Sequence, residues 1–120
     1  NMIKQIPSQE IKDYIKNNPK SILLDVRTKE EWDQVGKPDG DKIGLKAHFL
    51  SLEFDGGIAN ENFFKEFKDL NINQEYEVLT MCGIGIRSQR AAELLNEKGY
   101  NCVNVSDGFT GWENSGLPTT

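Results

Sequence analysis

The stretch that most constrains the fold is Ile22-Leu23-Leu24-Asp25-Val26, where apolar side chains stand side by side instead of alternating with polar ones. Successive side chains of a strand point to opposite faces, so such a run needs cover on both. That is the pattern of a parallel strand between two layers of helices. Tyr76 to Met81 and Cys102 to Val105 read as further strands, and Met2 to Ile6 as a brief one stopped by Pro7. Phe49 to Phe54 is the expected third strand in chain order. Helical spacing of three and four residues fills the intervals: Ile11, Tyr14 and Ile15 after a capping Ser8; Phe63, Phe64, Phe67 and Leu70; Ala91, Leu94 and Leu95, ended by Gly99. Thr28 and Glu31 form a capping box for a short helix through Trp32 and Val35. Residues 36 to 46, rich in glycine, are expected to be a loop, and Gly56-Gly57 a turn.

A strand followed by a helix, repeated along 120 residues, implies right-handed crossovers. The expected fold class is α/β, a three-layer α/β/α sandwich around a central, mainly parallel five-stranded sheet, formed by residues 1–120 as a single domain. The chain is long enough to bury a core, and 28% charged with 37% hydrophobic residues suits a globular protein. A net charge of -5 argues against a nucleic-acid surface. No apolar run approaches the roughly 20 residues of a membrane span, and the N-terminus lacks the segments of a signal peptide. The expected compartment is the reducing cytoplasm. Two cysteines, Cys82 and Cys102, make neither a disulfide framework nor a zinc spacing.

In open parallel sheets ligands bind beyond the carboxyl ends of the strands. At that end of the fourth strand stands Cys82-Gly83-Ile84-Gly85-Ile86-Arg87-Ser88, running into a helix. A helix N-terminus brings partial positive charge and free amide donors, which favour thiolate over thiol. Gly83 and Gly85 let the loop fold tightly, with amides turned inward to cradle an anion or the outer sulfur of a persulfide. Arg87 adds a positive charge at the rim, and Ser88 is placed to cap the helix. Cys102 opens a buried strand at the opposite end of the sheet. A five-residue strand spans roughly 16 Å, beyond the roughly 7 Å between Cα atoms that a disulfide tolerates, so Cys102 is expected to be a packing residue.

The Cys82 loop resembles the active-site loop of the rhodanese family, in which a catalytic Cys begins a six-residue loop with Gly fourth and Arg sixth; Cys82, Gly85 and Arg87 fall on those positions. Two more stretches are similar to family signatures. One is Leu24-Asp25-Val26-Arg27 with Glu31-Trp32; the other is Val105-Ser106-Asp107-Gly108-Phe109-Thr110-Gly111-Trp112 with Gly116-Leu117-Pro118. The resemblance implies a sulfurtransferase. The Cys82 thiolate takes a sulfane sulfur from a small anion such as thiosulfate, or from another persulfide. It then passes that sulfur to cyanide or to a thiol, which a protein can supply. The resemblance implies no metal or organic cofactor. Arg87 would hold an anionic donor, with Gly83, Ile84, Gly85, Ile86 and Ser88 lining the sulfur cradle. Asp25 would brace the loop, and Arg27 would either pair with a neighbouring carboxylate or touch the substrate.

The chain departs from the family pattern at several points. Gly83 stands where many members carry Arg. Glu31 occupies the place where two-domain thiosulfate enzymes have a substrate-binding Arg. Asp107 replaces a frequent glycine, in a position where a left-handed conformation is expected. Arg90 is expected to be solvated, Trp32 and Trp112 to be packing residues, and His48 to lie on a strand or the surface. A non-catalytic rhodanese-like binding module is the alternative function. Phosphatases built on a similar loop place five residues between Cys and Arg, against four here, so the spacing excludes them. A dinucleotide fingerprint is excluded because its third glycine is missing.

Overall fold

The computed structural model describes residues 2–120. Five strands, β1 (Lys4–Ile6), β2 (Ser21–Asp25), β3 (Lys46–Phe49), β6 (Glu77–Met81) and β7 (Asn101–Val105), form one sheet in the order β1-β7-β6-β2-β3. Every neighbouring pair is parallel. Helices α1 (Ile11–Asn17), α2 (Lys29–Val35), α3 (Phe63–Asp69) and α4 (Ile86–Glu97) lie in the connections, and α5 (Gly108–Asn114) follows the last strand. The α/β class with a parallel central sheet is therefore as expected.

All five residues of β2 are buried, which is what its unbroken apolar run demands. The period-2 geometry then deals adjacent residues to opposite cores. Ile22, Leu24 and Val26 join Val78, Phe63, Phe67, Ala91 and Leu95 on the face covered by α3 and α4. Leu23 joins Leu79, Met81, Val103, Val105, Ile11, Phe109 and Trp112 on the face covered by α1 and α5. Trp112 is fully buried, with its indole N–H on the carbonyl of Pro118 at 2.8 Å, and Trp32 meets Phe49 edge-on. Both tryptophans pack, as expected. His48 lies half-buried on β3. No helix among the described residues is long and apolar enough to cross a membrane.

Three local expectations are corrected. The third strand of the sheet is Lys46–Phe49 and not Phe49 to Phe54. As an edge strand it has one exposed and three half-buried residues, so it lacks the apolar run that marks its neighbours. Glu53–Phe54 (β4) instead pairs antiparallel with Ile58–Ala59 (β5) around Gly56 and Gly57, both at positive φ, and Phe54 stays half exposed. Ser8 is not a helix cap. It begins a 3-10 turn, Ser8–Glu10, and its amide and hydroxyl both donate to Asp107 Oδ1, at 3.0 and 2.9 Å. Residues 36–46 are not all loop, since Gly40–Ile43 form a second 3-10 turn and Leu45 is fully buried.

Candidate active site

Cys82 follows the last residue of β6, so its position is fixed by the most deeply buried part of the sheet. The chain then turns through Gly83, Ile84 and Gly85 into α4. Gly85 sits at φ +98°, and a Cβ there would lie 2.3 Å from the carbonyl oxygen of Ser106. Only glycine fits. This turn brings the Gly85 amide to 3.1 Å from Cys82 Sγ and the Ser88 hydroxyl to 3.2 Å, both donating to the sulfur. Ser88 is thus not the helix cap, because the N-cap position belongs to Gly85. Being one turn into α4 is what lets its side chain reach back to the sulfur. Of the expected cradle residues, Gly85 and Ser88 contact Sγ. Ile84 and Ile86 face solvent, at 64% and 65% exposure.

The loop is held from behind by residues that local sequence patterns do not reveal. Asn104 on β7 donates to the Gly85 carbonyl at 3.0 Å and to Gln5 Oε1 at 2.8 Å. The amides of Phe109 and Thr110 donate to the carbonyls of Cys82 and Gly83, at 2.8 and 3.2 Å. Gly108, at φ +58°, lets this approach happen. A Cβ on it would meet the Gly83 and Cys82 carbonyl oxygens at 2.4 and 2.5 Å. The left-handed position is therefore Gly108, while Asp107 keeps φ -103° and serves Ser8 instead.

Asp25 and Arg27 form a fully buried pair, with Arg27 Nε 3.1 Å from Oδ1 and its terminal nitrogen 2.8 Å from Oδ2. The same guanidinium reaches the Gly36 carbonyl at 2.9 Å and lies over the Phe109 ring at 4.2 Å. The side-chain partner of Asp25 is Arg27, and the Phe109 on which that guanidinium packs donates its amide to the Cys82 carbonyl. Of the two roles open for Arg27, the carboxylate pair is the one observed.

Arg87 does not stand free at the rim. Its two terminal nitrogens meet both oxygens of Glu31, at 2.7 and 2.8 Å. Glu31 also closes the expected capping box with Thr28, so its carboxylate is anchored from both sides. The Arg87 guanidinium first, and then the Thr28 amide, hold Glu31 down at about 2 against the opposing effect of partial burial. The pair is therefore charged across the physiological range. Arg90, expected to be solvated, is half exposed and pairs with Glu53 at 2.9 Å. Cys102 lies where expected, near the start of β7 and level with Val78, and burial pushes its thiol up to about 12. Among the described residues, no group of three or more His, Cys, Asp or Glu side chains is arranged to hold a metal ion.

A family model described as "Rhodanese-like domain" matches residues 8–115. The chain belongs to the rhodanese-like family. It is 36% identical over 126 residues to an uncharacterized protein of Rickettsia prowazekii, covering 98% of this chain and 97% of that one. It is 40% identical over 62 residues to the thiosulfate sulfurtransferase GlpE of Actinobacillus pleuropneumoniae, a match spanning 51% of this chain and 56% of that protein. Among solved structures, Rv0390 from M. tuberculosis superposes with a TM-score of 0.86 at 30% identity, over 100% of this chain and 98% of the other. The polysulfide-sulfur transferase of Wolinella succinogenes, at 22% identity and a TM-score of 0.75 over 98% of this chain and 78% of that one, shares the fold. Rhodanese-like relatives thus include sulfurtransferases. Within the rhodanese-like frame, the stretch from Ser106 to Trp112 owes its form to contact with the Cys82 loop, through Gly108, Phe109 and Thr110.

Proposed function

We propose that this chain is a sulfurtransferase that moves a sulfane sulfur through a persulfide on Cys82. The observation that carries the reading is the pair of donors on Cys82 Sγ, the Gly85 amide and the Ser88 hydroxyl, at the junction of β6 and α4. Both donors stabilise negative charge on sulfur, first on the thiolate and then on the persulfide.

In the first step the Cys82 thiolate attacks the outer sulfur of the donor. The bond between the donor's two sulfurs breaks, a new bond to Sγ forms, and the donor's remainder leaves with the electron pair. In the second step an acceptor thiolate or cyanide attacks that outer sulfur, and the Cys82 thiolate departs. No external oxidant or reductant is needed. Cys82 is only 1% exposed, so the donor must reach the sulfur past the Gly83–Ile86 turn that covers it. The partners are a small sulfur-donor anion or a persulfide, and a thiol or cyanide acceptor that includes protein thiols. The cytoplasm, where thiols stay reduced, suits this chemistry.

The near-complete burial of Cys82 is the one observation that favours a second reading, a non-catalytic rhodanese-like binding module. Turnover separates the two. Thiocyanate formation from cyanide and a sulfane donor should fall to the uncatalysed rate in Cys82→Ser, a loss of at least about 10³-fold where the nucleophile is removed. Equal rates in wild type and variant would dismiss the sulfurtransferase.

A further inference from the structure

We infer that Glu31 is a specificity-determining residue that withholds Arg87 from anionic donors, so that the site takes sulfur from a persulfide on an uncharged or cationic carrier in preference to a dianion such as thiosulfate. This inference rests on the sulfurtransferase reading and names its donor class. Arg87 is the one cation inside the Cys82 loop, and both of its terminal nitrogens are already engaged with a carboxylate in the fork-to-fork geometry that an oxyanion would need. Glu31 cannot simply swing away, because the Thr28 amide and hydroxyl fasten it to the start of α2. The pair also lies over the loop: a Cβ on Gly83 would stand 3.4 Å from Arg87 Nη2 and 3.8 Å from Glu31 Oε2. Gly83 thus places no side chain between the loop backbone and the pair.

The surroundings reinforce the effect. The hollow beside Arg87 is lined by Glu30, Glu31, Glu53 and Asp55 together with Phe54. The next arginine, Arg90, is itself paired with Glu53. The loop's outward side chains are Ile84 and Ile86. The surface around the loop therefore offers carboxylates on the Arg87 side and exposed isoleucines on the loop itself, with no unpaired loop cation. Thiosulfate arrives with two negative charges and must release sulfite, which concentrates that charge at the mouth when the sulfur–sulfur bond breaks. A carrier persulfide R–S–SH brings none beyond its own sulfur, and its R–S⁻ leaves with the electron pair and is protonated from solvent.

The test uses Glu31→Gln, which removes the charge but keeps a residue able to close the capping box; circular dichroism checks its fold. Persulfide formation on Cys82 is followed with thiosulfate and with cysteamine persulfide, giving kcat/KM for each. In wild type cysteamine persulfide should be the better donor. In Glu31→Gln the ratio of thiosulfate to cysteamine persulfide should rise on the order of tenfold, from a lower KM for thiosulfate. This is the effect of one charge-assisted hydrogen bond made available. The gain should vanish in Glu31→Gln/Arg87→Gln. An unchanged ratio, or a gain that survives the loss of Arg87, would overturn the inference. Absence of a Cys82 persulfide with either donor in wild type would instead overturn the sulfurtransferase reading itself.

Discussion

Asp25→Ala is expected to destabilise the protein by about 3–5 kcal/mol, because it strands the Arg27 guanidinium in the core without its counter-charge. The pair is 0% and 2% exposed, so neither water nor salt can replace the lost carboxylate. The Gly36 carbonyl and the Phe109 ring remain as partners but carry no compensating charge. The double variant Asp25→Leu/Arg27→Met should recover much of the loss, since well-packed apolar replacements of buried pairs cost little. Urea unfolding followed by far-ultraviolet circular dichroism measures both. A loss below about 1 kcal/mol in Asp25→Ala, the scale of an exposed pair, would show that Arg27 reaches water when its partner is removed. Phe109 would then not owe its position to this pair.

The second large effect is expected at Gly108. Its backbone is left-handed, and an added methyl would stand at 2.4 Å from the Gly83 carbonyl oxygen and 2.5 Å from that of Cys82. Both obstacles are backbone atoms of the loop that positions Sγ, so relief requires the loop itself to move. Strain at positive φ plus overpacking puts the cost of Gly108→Ala at about 2–4 kcal/mol. Gly116 makes the control, because it also has positive φ (+73°) but open space around its missing Cβ. Gly116→Ala should cost only about 1 kcal/mol, the conformational part alone. Equal losses in the two variants would contradict the close approach of α5 to the Cys82 loop. If Gly108→Ala folds, it should also lose sulfur transfer out of proportion to its stability.

What could be read directly from the chain was whatever physics writes into neighbouring residues. The run from Ile22 to Val26 announces a strand buried on both faces, and the Thr28–Glu31 spacing announces a capping box, because both depend on contacts within a few residues. Cys82 at a strand end before a helix is equally local. The edge strand Lys46–Phe49 is not legible in the sequence because its half-buried residues carry no apolar run, and Phe54 looks like a strand residue of the sheet while lying in a small exposed hairpin. The remainder of the site is non-local. Glu31 and Arg87 are 56 positions apart, and nothing in either segment announces the other. The Ser88 hydroxyl reads from sequence as a helix cap, and only the turn at Gly85, which takes the N-cap position, turns it to the sulfur instead. Asn104 and Gly108 matter because β7 and the start of α5 pass behind the loop, which follows from the order of strands and not from their composition.

Whether sulfur rides on Cys82 is measured by the intact mass of the protein after incubation with cysteamine persulfide, followed by peptide mapping. An addition of about 32 Da, the mass of one sulfur, is expected on the peptide containing Cys82. It should be absent from Cys82→Ser and removed by cyanide. Cys102, whose thiol burial keeps protonated, should stay unmodified. A sulfur found only on Cys102, or none on either cysteine, would contradict a persulfide on Cys82.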